Sequence, residues 1–394
     1  MTRARYQGGR RLLGLAAAAG LGGLALTLVG GLAFDARRAL FSYLVAFVFW
    51  IGVALGALIL LGAFHASNAR WPIVLRRFVE TVPQSLPVFL VLFVPVALGM
   101  GQLFPWAHPH GLDGEMAHAV HHKAPYLNAT FFLVRAAIYF AVWIAVAHLL
   151  RAWSVRQDEV GGISLTLRQR RLGTGSLPFL ALTMTFASFD WMMSLDPRFF
   201  STIFGVYWFA GSFMAAFAVT ILAAALTRGD PGAFGHHVSV EHFHSLGKFL
   251  LAFVAFWAYV AFSQFMLIWI ANIPEEVPWY ILRIDGGWRW VAAFLALFHF
   301  LVPFFLLLSR DLKRSPRALS AVAAWLLLVH WVDVYWLVMP HLHPAGPRPW
   351  LFDLTAFVGV GGVAVAFTVL RLRSAAPVPV ADPWLEDSVR YLPQ

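Results

Sequence analysis

Apolar runs of about 20 residues recur ten times along this chain, and they limit its fold more than any other feature. A helix of that length crosses the hydrocarbon core of a bilayer, which is about 30 Å thick. Lipid offers no hydrogen-bond partner to an exposed backbone, so such spans must be helical. The sequence therefore predicts an all-α polytopic membrane protein with ten transmembrane helices, near residues 12–34, 39–64, 84–104, 128–150, 176–196, 201–225, 246–272, 288–308, 318–339 and 351–370.

Composition excludes a soluble protein. Hydrophobic residues make up 60% of the chain and charged residues 12%, and the mean hydropathy is +0.72. A soluble domain carries roughly 25% charged residues. The net charge of +10 comes from Lys and Arg residues in short loops between the runs, where basic charge indicates membrane orientation rather than nucleic-acid binding. Because the chain has no cysteine, it can supply no thiolate to zinc or to an iron-sulfur cluster.

The basic residues also predict which way the chain runs through the membrane. Most of the 29 Lys and Arg residues fall on one side if the N-terminus is cytoplasmic, for example Arg10, Arg76 and Arg151. The positive-inside rule then places both termini in the cytoplasm. The polar, Pro-rich tail after the last run is predicted to be an extended segment on that same side.

A matched spacing suggests an internal repeat. Asp190 precedes Pro197 by seven residues in helix 5, and Asp333 precedes Pro340 by the same interval in helix 9. A duplicated four-helix unit would superpose these two helices in one membrane orientation. We therefore divide the chain into an N-terminal segment with peripheral helix 1 (1–38), a first four-helix bundle (39–200), a second (201–340), and helix 10 with the cytoplasmic tail (341–394).

Charged residues inside the apolar runs are the first candidate functional residues, because each costs about 2.5–3.5 kcal/mol near the bilayer centre. Arg135 in helix 4 and Asp190 in helix 5 reach comparable depths from opposite directions, so a buried pair between them is possible. One interpretation makes Asp190 a protonatable group that Arg135 gates. The other makes the pair a structural salt bridge.

Helix 9 contains "LVHWVDVYW", in which His330 and Asp333 share a helix face, and helix 8 brings His299 to a similar depth. A carboxylate beside a histidine suits a proton relay or quinol chemistry. The alternatives are a polar contact that holds helices 8 and 9 together, or a bis-histidine haem site at His299 and His330. We favour the proton-path interpretation, and we expect the chain to hold no metal or haem of its own.

Two weaker candidates remain. Helix 7 places Tyr259 and Ser263 one turn apart with Gln264 adjacent, so these side chains are candidates for a quinone pocket or a water path; the alternative is ordinary aromatic packing. The predicted outer loop before helix 4 carries His108, His110, His118, His121 and His122. Without a carboxylate motif nearby, this loop is a better candidate for docking a partner than for metal binding.

Three long segments resemble a known family. They read "TFASFDWMMSLDPRFFSTIFGVYWFAGSF", "KAPYLNATFFLVRAAIYF" and "LGKFLLAFVAFWAYVAFSQFMLIWIANIPEEVPWY". Together they are similar to the second large NrfD-like membrane subunit of bacterial alternative complex III, a quinol:cytochrome c oxidoreductase. The resemblance spans helices 3 to 9.

This resemblance implies a respiratory complex in the bacterial inner membrane. It implies partners: a sister NrfD-like subunit, multihaem and monohaem cytochrome c subunits, and an iron-sulfur subunit. Haems and clusters would then lie in those partners, with quinone as the only candidate ligand of this chain. The resemblance also implies two four-helix bundles and a role in quinone binding or proton translocation. Secondary transporter and purely structural anchor remain as alternative functions.

Overall fold

The computed structural model describes residues 4–109, 111–112 and 114–392, so His110 of the histidine-rich loop lies outside the described residues. The described residues contain no strand and form ten helices long and apolar enough to cross a membrane. The chain is thus an all-α multi-pass membrane protein, as predicted. The helices are α1 Arg10–Ala33, α2 Ala36–Ala66, α3 Ile73–Leu98, α4 Ala129–Val160, α5 Ser164–Leu195, α6 Phe204–Leu226, α7 Val240–Ala271, α8 Trp288–Leu308, α9 Pro316–His341 and α10 Leu351–Leu372.

Two predicted helix starts are wrong. Helix α3 begins at Ile73 rather than near residue 84, and α5 begins at Ser164 rather than near residue 176. The first turns of both helices carry charged side chains, such as Arg76, Arg77 and Arg168. The apolar run therefore starts later in the sequence than the helix does. In α3 these side chains are buried and paired, so tertiary contacts stabilise a segment that hydropathy assigns to a loop.

Two of the ten helices are irregular. Helix α3 passes through a 3₁₀ segment, Val82–Ser85, which contains Pro83, and two further prolines follow at residues 87 and 95. Proline removes a backbone donor and clashes with the preceding turn, which accounts for the interruptions. Helix α8 contains a π-helical turn at Ala296–Leu301, just before Pro303.

Helix α2 is the centre of the molecule. It is almost entirely buried and packs against α1, α5, α6, α9 and α10. Helix α6 packs in turn against α5, α7 and α9, so the two predicted bundles meet along α2, α5, α6 and α9. The division into two repeated four-helix units stays a prediction.

Helix α1 packs closely against α10 through glycines. A Cβ atom on Gly23 would lie 2.6 Å from the Thr355 carbonyl oxygen, and one on Gly359 would lie 2.7 Å from the Leu24 nitrogen. Small residues allow helix backbones to approach closely in membranes. The side chains of Thr27 and Thr355 then share a hydrogen bond of 2.8 Å across the interface.

We name the two ends of the bundle by their segments. The His-loop end carries residues 99–109, 111–112, 114–128, 196–203, 272–287 and 342–350, and the tail end carries residues 67–72, 161–163, 227–239, 309–315 and 373–392. The tail is not simply extended. It contains a short helix, Leu385–Val389, Asp382 pairs with Arg76 at 2.7 Å, and Ser388 donates to the Trp71 carbonyl at 2.6 Å.

Candidate functional site

The first candidate site centres on Asp190, which is fully buried in α5. Arg135 of α4 donates from Nε to Asp190 Oδ2 at 2.9 Å and from Nη2 to Oδ1 at 2.8 Å. Tyr139, one turn further along α4, donates its hydroxyl to Oδ2 at 2.8 Å. The predicted proximity of Arg135 and Asp190 is therefore present, in the two-pronged geometry that gives the strongest ion pairs.

The Arg135 guanidinium is held on its other sides as well. Its Nη1 donates to the Tyr126 carbonyl at 2.8 Å, and its Cζ lies 3.8 Å from the Tyr126 ring centre and 4.3 Å from that of Phe131. Arginine is not deprotonated in proteins, and ring stacking restrains its plane. Asp190 is thus paired with a permanent cation in a fixed position.

The second candidate site centres on Asp333, which is 1% exposed in α9. Tyr207 of α6 donates to Asp333 Oδ1 at 2.5 Å, and Trp257 of α7 donates from Nε1 to Oδ2 at 3.2 Å. His330 Nδ1 lies 3.4 Å from Oδ2. The nearest group able to carry positive charge is therefore a histidine rather than an arginine.

His299 completes this group from α8. It lies in the π-helical turn, where the Val302 N–H donates to the Leu297 carbonyl five residues earlier. Pro303 follows His299 by four residues and offers no N–H to its carbonyl, which favours the irregular turn. The His299 ring centre lies 3.8 Å from that of Trp257 and 5.9 Å from that of His330. Such turns occur frequently at functional sites.

The imidazole nitrogens in this group lack ordinary hydrogen bonds. His299 is fully buried, and neither of its ring nitrogens has a hydrogen-bond partner among the described residues; the same holds for His330. Gly211 of α6 provides the space for His330, because a Cβ there would lie 2.2 Å from the His330 Cε1 atom. Buried polar atoms are nearly always paired, so this cluster calls for an explanation.

Sequence reasoning missed a common element of the two sites. Each buried aspartate accepts a hydrogen bond from a tyrosine hydroxyl, Tyr139 in one case and Tyr207 in the other. The signal for Tyr139 was available, since it follows Arg135 by one helical turn. Tyr207 and Trp257 come from helices without a charged residue at that depth, so nothing in the chain order connected them with Asp333.

The three helix α7 candidates do not converge on one pocket. Tyr259 is 66% exposed, and Ser263 is partly buried. Gln264 is buried beside Tyr280, a residue of the short helix Val277–Ile284. Gln264 thus shares the inward side of α7 with Trp257, while Tyr259 points away from the core.

A buried arginine at the His-loop end was also missed. Arg283 donates to the carbonyls of Trp279 and Leu337 at 2.9 and 2.6 Å, and lies 2.9 Å from His341 Nε2. Burial lowers the pKa of Arg283 to about 9, and the nearby Asp196 carboxylate, which is itself buried, acts to raise it.

An ion network at the tail end involves residues of α3 that the sequence analysis expected to lie in a loop. Arg77 Nη2 pairs with Asp158 of α4 at 2.5 Å, and Arg76 pairs with Glu80 at 3.1 Å and with Asp382 of the tail. The Arg76 to Glu80 spacing of one helical turn was a usable signal. This network ties α3, α4 and the tail together.

A groove lies beside α8 and α9 near the His-loop end. Its volume is about 660 Å³, and aromatic and aliphatic side chains such as Trp290, Phe294 and Val332 form its walls. Arg348 contributes the charged group at its edge. The groove is large enough for a small aromatic ring with an attached chain.

Comparisons with known proteins name no family. No protein-family profile matches the chain, and no curated protein is similar enough to count as a relative. Fold and site together define a multi-pass α-helical membrane protein with two buried aspartate sites. Anything more specific about its activity is a proposal.

Proposed function

We propose that this chain is an NrfD-like membrane subunit of a respiratory quinol:cytochrome c oxidoreductase, and that Asp333, His330 and His299 form part of its proton pathway. The observation that carries this proposal is the environment of Asp333. The Asp333 carboxylate lies in an apolar interior, and its hydrogen-bond donors are neutral. The side chain beside it that can carry positive charge is His330, at 3.4 Å, and not an arginine. Such a group can gain and lose a proton without leaving an unpaired arginine behind.

The polar groups around Asp333 supply a direction for proton movement. Tyr207 contacts the carboxylate directly, and Arg283, His341 and Asp196 continue towards the His-loop end. We propose that this end faces the periplasm, with both termini cytoplasmic in the inner membrane of a bacterium, in agreement with the basic residues at the tail end. Asp190 would exchange protons only if Arg135 released it.

The redox centres would belong to partner subunits. With no cysteine, the chain provides no ligands for iron-sulfur clusters, so an iron-sulfur subunit, cytochrome c subunits and a sister NrfD-like subunit would carry the electrons. Quinone is the proposed small-molecule ligand, with the groove beside α8 and α9 as its approach. Of the three helix α7 candidates, Gln264 suits a headgroup contact best, because it alone faces the protein interior.

The test uses the assembled complex. Asp333→Asn and Asp190→Asn variants would be purified through a tagged partner subunit, and quinol:cytochrome c turnover and proton release compared with the unaltered complex. Asp311→Asn, at an exposed carboxylate in the short helix Arg310–Arg314, is the matched control. We expect Asp333→Asn to lower turnover or proton release at least about tenfold, as loss of a general acid-base group does. Unchanged rates in a fully assembled Asp333→Asn complex would refute the proton-path assignment and favour a structural anchor.

A secondary transporter is the second candidate, and the interrupted helix α3 favours it. Broken helices beside buried charges are typical of transporter binding sites. The 3₁₀ segment of α3 lies one turn from the ion network, and Gln84 within it donates to the Ala147 carbonyl of α4 at 2.8 Å. Substrate uptake by proteoliposomes that contain this chain alone, abolished by Gln84→Ala, would support transport over a role in electron transfer.

A further inference from the structure

We propose that His299, His330 and Asp333 form a binding site for a divalent transition-metal ion, best suited to Zn²⁺. Each of the three side chains offers a ligand atom, and these atoms all lie within 4.8 Å of one another. All three residues are buried. The proposal departs from the expectation that the chain binds no metal, and it concerns binding alone, so it does not depend on the proposed redox function.

The donor set is chemically suited to such an ion. Two imidazole nitrogens and one carboxylate oxygen are a combination that zinc accepts, with a further position left for water or another ligand. Magnesium and calcium prefer sets made of oxygen alone, so two histidines disfavour them. With Asp333 ionised and a bound water deprotonated, the loaded site would be neutral, which suits an apolar interior.

The unpaired nitrogens are an independent observation. Both ring nitrogens of His299 lack a hydrogen-bond partner among the described residues, although the residue is fully buried. The π-helical turn displaces this part of α8 from regular helical geometry and brings His299 towards α7 and α9. Its freed Phe298 carbonyl is satisfied by Trp325 Nε1 at 3.0 Å, so the irregular turn is stabilised by α9 itself.

Groups around the carboxylate would orient it as a ligand. Tyr207 donates to Asp333 Oδ1, and Trp257 donates to Oδ2 at 3.2 Å. Hydrogen bonds of this kind fix the orientation of metal ligands, and their loss typically weakens metal binding about 10–100-fold. The Asp190 site offers a natural contrast, because Arg135 occupies both carboxylate oxygens.

The experiment measures metal directly in the full-length chain. The protein would be produced in Zn²⁺-supplemented medium, purified in detergent through a tag without histidine, and dialysed before its zinc content is measured. Surface binding is removed by a background variant in which His108, His110, His118, His121 and His122 are all Gln. We expect zinc in equimolar amount to this folded background protein.

Variants locate the ion. His299→Gln and Asp333→Asn should each reduce the zinc content to the level of the buffer, and Tyr207→Phe should weaken retention against a chelator by about tenfold or more. His65→Gln, at another buried histidine, and Asp190→Asn should retain the full amount. Protein produced with Co²⁺ should show ligand-field absorption in the visible range that is lost in His299→Gln.

Two results would overturn the proposal. One is folded background protein that contains no zinc or cobalt above the buffer, a result that needs no variant of the site to fold. The other is a His299→Gln protein that retains metal as well as the background protein does. Neither result bears on the turnover test of Asp333, so the metal site and the proton pathway can fail separately.

Discussion

The Asp190 and Asp333 regions place the same residue type in the same kind of environment and give it opposite partners. Both aspartates are buried in a membrane helix, and both accept a tyrosine hydroxyl. Asp190 also receives two hydrogen bonds from an arginine whose guanidinium lies against two aromatic rings, Tyr126 and Phe131. Asp333 has a tryptophan and a histidine instead.

The two aspartates therefore differ in whether the neighbouring side chain carries a permanent positive charge. An arginine keeps its proton at any physiological pH, so Asp190 is stabilised as a carboxylate and removing either partner leaves the other unpaired. The neighbour of Asp333 is a histidine, so the proposed proton pathway assigns proton exchange to the Asp333 group and not to Asp190.

The largest expected effect comes from breaking the fixed pair. Arg135→Leu leaves Asp190 buried without its cation, which typically costs about 3–5 kcal/mol. We expect a large fall in the midpoint of thermal unfolding in detergent, and Arg135→Leu with Asp190→Leu should recover much of it. If Arg135→Leu is no less stable than the unaltered protein, the pair is not the fixed element described here.

Crowding His330 should have the next largest effect. In Gly211→Ala the new methyl group overlaps the His330 ring, and overpacking of this kind costs about 1–3 kcal/mol. Gly175→Ala is the matched control, because a Cβ there meets nothing within 4 Å. Thermal unfolding should separate the two variants, and equal stability would mean that α6 does not position His330.

The two tyrosines provide a sharper comparison. Tyr207→Phe removes one of two ordinary donors from the Asp333 carboxylate, and an unsatisfied buried acceptor costs about 1–3 kcal/mol. Tyr139→Phe leaves Asp190 with both arginine donors, so we expect it to cost about 1 kcal/mol less than Tyr207→Phe. The unfolding midpoints of the two variants would be measured side by side. A lower midpoint for Tyr139→Phe than for Tyr207→Phe would contradict the contrast.

The smallest effect concerns Asp196, a buried carboxylate just beyond α5 that pairs with the partly exposed Arg198. Burial raises its pKa, but the hydrogen bonds from Arg198 and the charges of His341 and Arg198 together outweigh burial and leave the pKa below its ordinary value of 3.8. A carboxyl group with a lowered pKa stabilises the fold above its ordinary pKa, and this contribution is lost as the pH falls through the lowered value.

Asp196→Asn should therefore remove less than about 1 kcal/mol at neutral pH. It should also abolish one part of the acid-induced loss of stability below pH 3.8. The check is the unfolding midpoint measured across acidic pH in both proteins. A variant with the same acid dependence as the unaltered chain would contradict the pairing with Arg198.

Hydropathy and helix periodicity were sufficient for the ten helices and for two of the buried aspartates, Asp190 and Asp333. Arg135 and Asp190 could be paired because each is a rare charge at a matching depth, and His330 and Asp333 because they share a helix face. The remaining partners could not be predicted. Tyr207 and Trp257 reach Asp333 from α6 and α7, and the register of those helices depends on packing that no local pattern encodes.

The ends of helices were the other weakness of sequence reasoning. Arg76, Arg77 and Glu80 look like a solvated loop, yet they lie buried in α3 because Asp158 and Asp382 pair with them. Asp382 lies in the tail, which is far away in the sequence. Long-range pairing of charges overrode the hydropathy signal here.

The most direct test of the contrast is infrared spectroscopy of the full-length chain, freed of metal by a chelator, in lipid, recorded across a pH titration in H₂O and D₂O. A carboxyl group that takes up a proton gives a C=O band that shifts on deuteration. We expect such a band in the unaltered protein, its loss in Asp333→Asn, and its persistence in Asp190→Asn. A band that persists in Asp333→Asn and disappears in Asp190→Asn would reverse the roles assigned to the two sites.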